Sequence, residues 1–283
     1  MGIYKGGLNM NLLDFDVTNE LLLYLEKKNF CVQNFLDKIK ETNFYLYKEN
    51  HMLDISYDFC GKRYNKSIIT DKSYGFTTAL LLKQNGNIVI SKRVLGVNDS
   101  LDREVFNITL IHELLHLLSQ NNIEKVNHRY VYRTGITKAE YDIFTKFDEE
   151  YEVSKINLNE GITQFLAEKI YEEIYNKKSP IKNDYSCVYA IEILNSFLNF
   201  KNIDWWLDIY LNNKYESLIK LLENKLNLKE NFLINLDIGI KYSKYNSREL
   251  NKMLYQIIYS LDNKKEINEI IKELSNKLPK EIF

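Results

Sequence analysis

The sequence predicts an α+β fold in which a small mixed sheet lies in the first half of the chain and helices dominate the second half. Two observations support this prediction. An Asn-Gly pair, Asn85-Gly86, separates two β-prone runs at residues 76–83 and 87–94. From residue 157 onward, apolar residues recur at helical spacing almost to the C-terminus. We therefore expect an N-terminal α+β lobe at residues 1–125 and a mainly helical lobe at residues 126–283.

The N-terminal elements follow from local periodicity. Apolar residues at helical spacing in residues 18–42 predict one or two opening helices, and short, partly alternating runs predict strands at 53–60 and 66–70. The Asn-Gly turn then predicts a β-hairpin over residues 76–94. A helix is expected to begin near Asp99 or Ser100, whose side chains can cap free backbone N–H groups, and to end near Gln120.

The C-terminal half is predicted to be helical after an irregular connection. Residues 121–157 have weak periodicity, so we expect a loop-rich segment with one short strand at 128–133. The helices predicted beyond it share apolar positions at 3.6-residue spacing and lie at 158–176, 184–200, 204–224, 228–241, 247–261 and 264–277.

Charge and composition exclude some classes of protein. Lys plus Arg total 38 and Asp plus Glu total 39, so no excess charge favours nucleic acid or an anionic membrane. Neither a secretory signal nor a transmembrane segment is evident, and the three cysteines form no CxxC pair. We therefore expect a cytoplasmic protein with reduced thiols and with neither nucleic acid nor membrane as a partner.

The helix predicted at residues 100–120 carries the clearest chemical signal. It is apolar around most of its circumference, yet it contains the segment His112-Glu113-Leu114-Leu115-His116. Residues four apart on a helix differ by about 40° in direction and about 6 Å in height, so both imidazoles can bind one metal. Glu113 can then reach a water on that metal without itself being a ligand. A pair of satisfied core histidines is the alternative, but buried ionisable groups are unfavourable unless they are paired or bind metal.

Catalytic zinc usually has three protein ligands, so a third is expected. A third histidine six residues after His116 is excluded, because that position is Asn122. Cys60 does not lie in the Gly-Cys-Leu context of a deformylase ligand. The best carboxylate is Glu160, at the start of the next predicted helix and beside Gly161, which would let the two helices approach closely. The weaker candidates are Glu140, Asp142, Glu168 and His128.

The motif His112-Glu113-Leu114-Leu115-His116 followed by Asn159-Glu160-Gly161 resembles the gluzincin metallopeptidases, of which thermolysin is the familiar member. It resembles most of all the small uncharacterised bacterial zincins with an Asn-Glu-Gly-(Ile/Leu)-Thr helix. This resemblance, over residues 76–170, implies a zincin-like fold with one Zn²⁺ bound by His112, His116 and Glu160. It also implies that Glu113 is the general base and that the 76–94 hairpin supplies the sheet edge along which substrate lies. We place that edge at residues 87–94.

The sequence therefore predicts a zinc metalloendopeptidase that acts on peptides or proteins. The donor that would stabilise the oxyanion is not fixed by the sequence, and His128, Tyr151 and Tyr185 are candidates. The alternative is a catalytically silent zincin-like scaffold that binds a partner protein through the aromatic cluster Trp205, Trp206 and Tyr210. Burial of that cluster in a helical core is the commoner arrangement.

Overall fold

The structure is a computed structural model of the 283-residue chain. It describes residues 11–48, 52–59, 62–69, 74–121, 123–142, 152–154, 156–181, 186–198, 203–226, 228 and 230–243. The chain forms two compact units that alternate along the sequence. The first comprises residues 1–132, 141–149 and 167–181, and the second comprises 133–140, 150–166 and 182–283. The lobe boundary predicted after residue 125 stays a prediction.

The described elements confirm an α+β architecture. The helices are α1 Asp16–Lys27, α2 Val32–Lys40, α3 Arg103–Ser119, α4 Ile156–Tyr175, α5 Ser186–Leu198, α6 Asp204–Leu211, α7 Tyr215–Leu226 and α8 Glu230–Ser243. The strands are β1 Thr42–Tyr47, β2 Met52–Phe59, β3 Lys62–Ile69, β4 Gly75–Gln84, β5 Asn87–Asn98, β6 Glu124–Val126, β7 Arg129–Thr134, β8 Thr137–Asp142 and β9 Glu152–Ser154. The helices predicted at 247–261 and 264–277 lie outside the described residues.

The central sheet of the first unit has the strand order β1-β5-β4. β4 and β5 form the predicted hairpin, and their turn residues Asn85 and Gly86 have φ values of 49° and 79°, as a two-residue turn of type I′ requires. β2 and β3 pair as a separate antiparallel hairpin, and the third sheet has the order β6-β7-β8-β9.

α3 packs on β4 and β5 and also on α1 and α2. It therefore lies between a sheet and a helical layer, as its apolar circumference predicts. Its apolar residues from Ile108 to Leu118 are fully buried. The predicted N-caps Asp99 and Ser100 are wrong, because the N-cap is Asp102 and its side chain makes no capping hydrogen bond. The two earlier residues instead form a turn in which the Asn98 side chain accepts the Ser100 N–H.

Among the described strands, β1 and β4 are the two outer strands of the central sheet, and β5 lies between them. β5 pairs with β4 on one side and, through its residues 93–98, with the parallel strand β1 on the other. Our placement of the edge at residues 87–94 is therefore wrong for residues 93 and 94, whereas residues 87–92 pair with β4 alone in the part of the chain that the structure describes. The sequence pattern missed β1, which directly follows α2, and it ended the second hairpin strand four residues early.

The direction of the β4 backbone groups follows from one hydrogen bond and the register. Asn98 N–H donates to Tyr74 O at 2.9 Å, so these opposed residues form a hydrogen-bonded pair. The register continues as Phe76↔Gly96 and Thr78↔Val94. Because hydrogen-bonded and non-bonded pairs alternate, the N–H and C=O groups of Gly75, Thr77 and Ala79 point away from β5. Within the described part of the chain, no strand pairs with that edge.

The described part of the connection at residues 121–157 contains four strands where we expected one. β7 agrees with the strand predicted at 128–133, but β6, β8 and β9 were missed. β6 and β9 have three residues each, and all of β6 is exposed, so neither has a hydrophobic alternation to detect.

The second unit is mainly helical and has its own core. Trp206, Leu207 and Tyr210 of α6 are fully buried, so the core interpretation of the aromatic cluster is confirmed for Trp206 and Tyr210. The helix predicted at 204–224 is two helices, α6 and α7. Asn213 lies between them at φ 54°, a left-handed conformation that ends a helix.

Candidate metal centre

α3 brings the two predicted histidine ligands together. The Nε2 atoms of His112 and His116 are 3.1 Å apart, and the ring centroids are 4.8 Å apart. Two nitrogens bound to one tetrahedral zinc at about 2.0 to 2.1 Å would lie roughly 3.3 Å apart. His116 is buried and His112 is partly exposed. The pair thus has nearly the separation that a shared metal requires.

Glu113 lies between these histidines in the chain, and its side chain is directed at β4. The residue is only 5% exposed. The Thr77 hydroxyl donates to Glu113 Oε2 at 2.8 Å, and Gly75 lies beside the side-chain carbons. A carboxylate can remain charged at such burial only when donors of this kind compensate its lost hydration.

The C-terminal end of α3 is held by a lysine from α2. Lys38 Nζ donates to Leu118 O at 2.5 Å, which satisfies one of the carbonyls left without a partner at the helix end. Burial, and then the positive charge of Arg93, lower the pKa of Lys38 to about 8. The lysine fixes the helix end two residues after His116.

Glu160 lies in the first turns of α4, a continuous helix of 20 residues. One ligand atom from each of His112, His116 and Glu160 lies within 4.8 Å of the other two. The group comprises a partly exposed residue, a buried one and an exposed one, in that order. These three residues are thus a group of types that could hold a metal ion.

The first turns of α4 are fixed by hydrogen bonds within the second unit. Asp237 Oδ1 of α8 accepts the Leu158 N–H at 2.7 Å, which caps the helix. Asn159 Oδ1 accepts the Ile136 N–H at 2.9 Å. These two bonds fix the residues on the N-terminal side of Glu160.

A second set of contacts follows Glu160. The Thr163 hydroxyl lies 2.7 Å from Asn159 O and 2.5 Å from the Tyr210 hydroxyl. Because Thr163 has one hydroxyl hydrogen and a carbonyl only accepts, Tyr210 donates to Thr163. A Cβ on Gly161 would lie 2.7 Å from the carbonyl oxygen of Cys187, so the close approach that Gly161 permits is that of α5.

Of the weaker candidates for third ligand, those whose side chains the structure describes are not in the group. Glu140 forms an ion pair with Lys138, and His128 is exposed at the β6–β7 turn. Glu168 lies on α4 but outside the three-residue group. The side chain of Asp142, together with the oxyanion candidates Tyr151 and Tyr185, lies outside the described residues.

The donor set fits zinc better than magnesium or calcium. Two imidazole nitrogens and one carboxylate oxygen are a known set for catalytic zinc, whereas the harder cations prefer oxygen ligands alone. In a filled site, a carboxylate oxygen would lie roughly 3.3 Å from each imidazole nitrogen.

Comparisons with models of known protein families, with curated protein sequences and with solved structures returned no match. The resemblance to gluzincins therefore rests on the two motifs. In the part of the chain described here, every helix is too short or too polar to cross a membrane.

Sequence reasoning missed Gly75 and Thr77. Both precede the Asn-Gly turn by several residues, and both lie on the same face of β4 because they are two residues apart. The signal that was present is the glycine, because glycine in a strand often marks a close approach by another group.

Proposed function

We propose that this protein is a zinc-dependent metalloendopeptidase with a zincin-like fold. His112, His116 and Glu160 bind one Zn²⁺ per chain, and Glu113 is the general base. The observation that supports the proposal most directly is the 3.1 Å separation of the His112 and His116 Nε2 atoms, with Glu160 in the same group. A buried carboxylate directly after the first histidine adds the group that hydrolysis needs.

The chain's own residues perform the proton transfer and the positioning. Zinc, when bound, lowers the pKa of a water toward 7 and polarises the scissile carbonyl. Glu113 accepts the proton of the attacking water and later delivers it to the leaving amine. Its position on α3 between the two ligands keeps the base beside the reacting carbonyl.

Substrate is an extended peptide that pairs with the outer edge of β4. The outward backbone groups of Gly75, Thr77 and Ala79 supply donors and acceptors on the strand that contacts Glu113. A peptide bound there gains affinity from backbone hydrogen bonds, and its scissile bond lies near the base.

Zinc content and peptide cleavage test the proposal together. Purified protein is expected to carry about one zinc per chain and to cleave casein or a peptide library, with loss of cleavage in a chelator and recovery on adding zinc. His112→Ala with His116→Ala removes zinc, and His128→Ala, a matched control on the exposed turn, does not. Zinc retained by the double variant would refute the site.

Glu113→Gln separates metal binding from chemistry. It is expected to retain zinc and to hydrolyse peptides at least about a hundredfold more slowly, because only the base is lost. A silent scaffold would show zinc without cleavage in the unmodified protein. The aromatic cluster is now weaker support for such a scaffold, because Trp206 and Tyr210 are buried and present no surface to a partner.

A further inference from the structure

Two residues of β4 are in contact with the Glu113 side chain from one face of the strand. The Thr77 hydroxyl lies 2.8 Å from Glu113 Oε2. A Cβ added to Gly75 would lie 2.7 Å from Glu113 Cγ and 2.8 Å from Oε1. The first residue supplies a hydrogen bond, and the second supplies space.

The Thr77 hydrogen bond is directed to the carboxylate. The hydroxyl also lies 3.0 Å from the backbone oxygen of Glu113, but it has only one hydrogen to donate. That backbone oxygen lies inside α3, where the N–H of Leu117 supplies its helical hydrogen bond. The Glu113 carboxylate is buried and has the shorter contact with the hydroxyl, 2.8 Å against 3.0 Å, so the hydroxyl hydrogen is assigned to the carboxylate.

The role of Gly75 is steric. Non-bonded carbons are in favourable contact at about 3.5 to 4.0 Å, so a methyl group here requires the Glu113 side chain to move by roughly 1 Å. The near atoms are the Cγ methylene and the carboxylate of Glu113, whose Cδ would lie 3.0 Å from the added carbon. A small change on β4 therefore displaces the proposed base.

We infer that Gly75 and Thr77 form a two-residue seat on the edge strand that positions Glu113 for catalysis. This inference rests on the proposed function, because it concerns the base of that reaction. Both residues are positioning residues, since they act through Glu113. Their outward backbone groups lie on the edge proposed to hold the peptide, so one strand fixes both the base and the bond it attacks.

Four single variants test the seat: Thr77→Val, Thr77→Ser, Gly75→Ala and the control Thr78→Val. Valine keeps the shape of threonine and removes the donor, whereas serine keeps the donor. Thr78 is on the opposite face of the same strand. Each variant is assayed for bound zinc, thermal unfolding, and kcat and KM on one internally quenched peptide chosen from the library screen.

Thr77→Val is expected to lower kcat about tenfold, and Gly75→Ala about a hundredfold, in line with the effect of roughly 1 Å of misplacement. In both variants, KM and zinc content should stay within about twofold of the unmodified protein. Thr77→Ser should retain most of kcat, because it keeps the donor. Thr78→Val should leave kcat, KM and zinc content unchanged. If Gly75→Ala does not fold, the valine and serine pair decides the question.

Crystal structures of the unmodified protein and of Gly75→Ala provide a test that is independent of activity, with Glu113 Cγ expected to move by roughly 1 Å. An unmoved carboxylate, or an unchanged kcat in Thr77→Val and Gly75→Ala, overturns the seat while leaving the peptidase assignment intact. Absence of zinc-dependent cleavage by the unmodified protein defeats the peptidase assignment and the catalytic role of the seat together.

Discussion

The open edge of β4 can be tested by placing proline at two adjacent positions. The N–H of Ala79 points away from β5, so proline at this position removes no bond of the sheet. Proline also requires an extended conformation of the preceding residue, and Thr78 already has it as part of β4. Ala79→Pro should therefore fold and lack one donor for a paired peptide.

The size of the effect follows from that single donor. One backbone hydrogen bond contributes about 0.5 to 1.5 kcal/mol net, so KM should rise about two- to twelvefold. The control is Thr78→Pro, one residue away. Its N–H points at Val94 across the ladder, so its loss should lower the free energy of unfolding by about 1 to 3 kcal/mol.

Steady-state kinetics on the same quenched peptide and urea unfolding distinguish the two variants. We expect Ala79→Pro to raise KM with bound zinc and kcat little changed, and Thr78→Pro to lose stability first. If Ala79→Pro folds, binds zinc and cleaves with unchanged KM, the substrate does not pair at this position and the β4 edge model fails.

Two further predictions concern the third ligand and the end of α3. Glu160→Ala should weaken zinc binding by at least about a hundredfold, measured by competition with a chromogenic chelator, whereas Glu168→Ala on the same helix should not; equal effects would exclude Glu160 as the ligand. The pKa of Lys38 is lowered to about 8 in the folded chain. Between pH 8 and about 10.5 the unfolded chain therefore binds more protons than the folded chain does, and the contribution of Lys38 to the free energy of unfolding rises with pH. Urea unfolding across that range should show this gain relative to Lys38→Met, and a constant difference between the two proteins would contradict it.

Elements with a strong local signal were predicted correctly. The Asn85-Gly86 pair specifies a type I′ turn by itself, and α3 has an apolar circumference that only a buried helix can satisfy. The strands that were missed have no comparable local signal. β1 becomes a strand because β5 supplies its hydrogen-bond partner from about fifty residues later in the chain.

The proximity of the two histidines was predictable because both lie on one helix, where spacing alone fixes geometry. The contact between Glu113 and β4 was not, because it depends on how α3 packs on the sheet and on the register between β4 and β5. Gly161 shows the same limit. The sequence indicated a close approach, but whether α3 or α5 makes it is decided by tertiary packing.

The motif Asn159-Glu160-Gly161-Ile162-Thr163 has a structural explanation beyond its central carboxylate. Asn159 bonds to Ile136 N–H, Thr163 bonds to Tyr210, and Gly161 admits α5, so three of the flanking residues hold the first turns of α4 within the second unit. Glu160 itself is exposed and lies among neighbours that are buried. An exposed glutamate needs no such support to be a solvated helix residue, whereas a metal ligand must present its carboxylate at a defined place. The arrangement therefore favours a ligand role for Glu160 over the general preference for acids at helix N-termini.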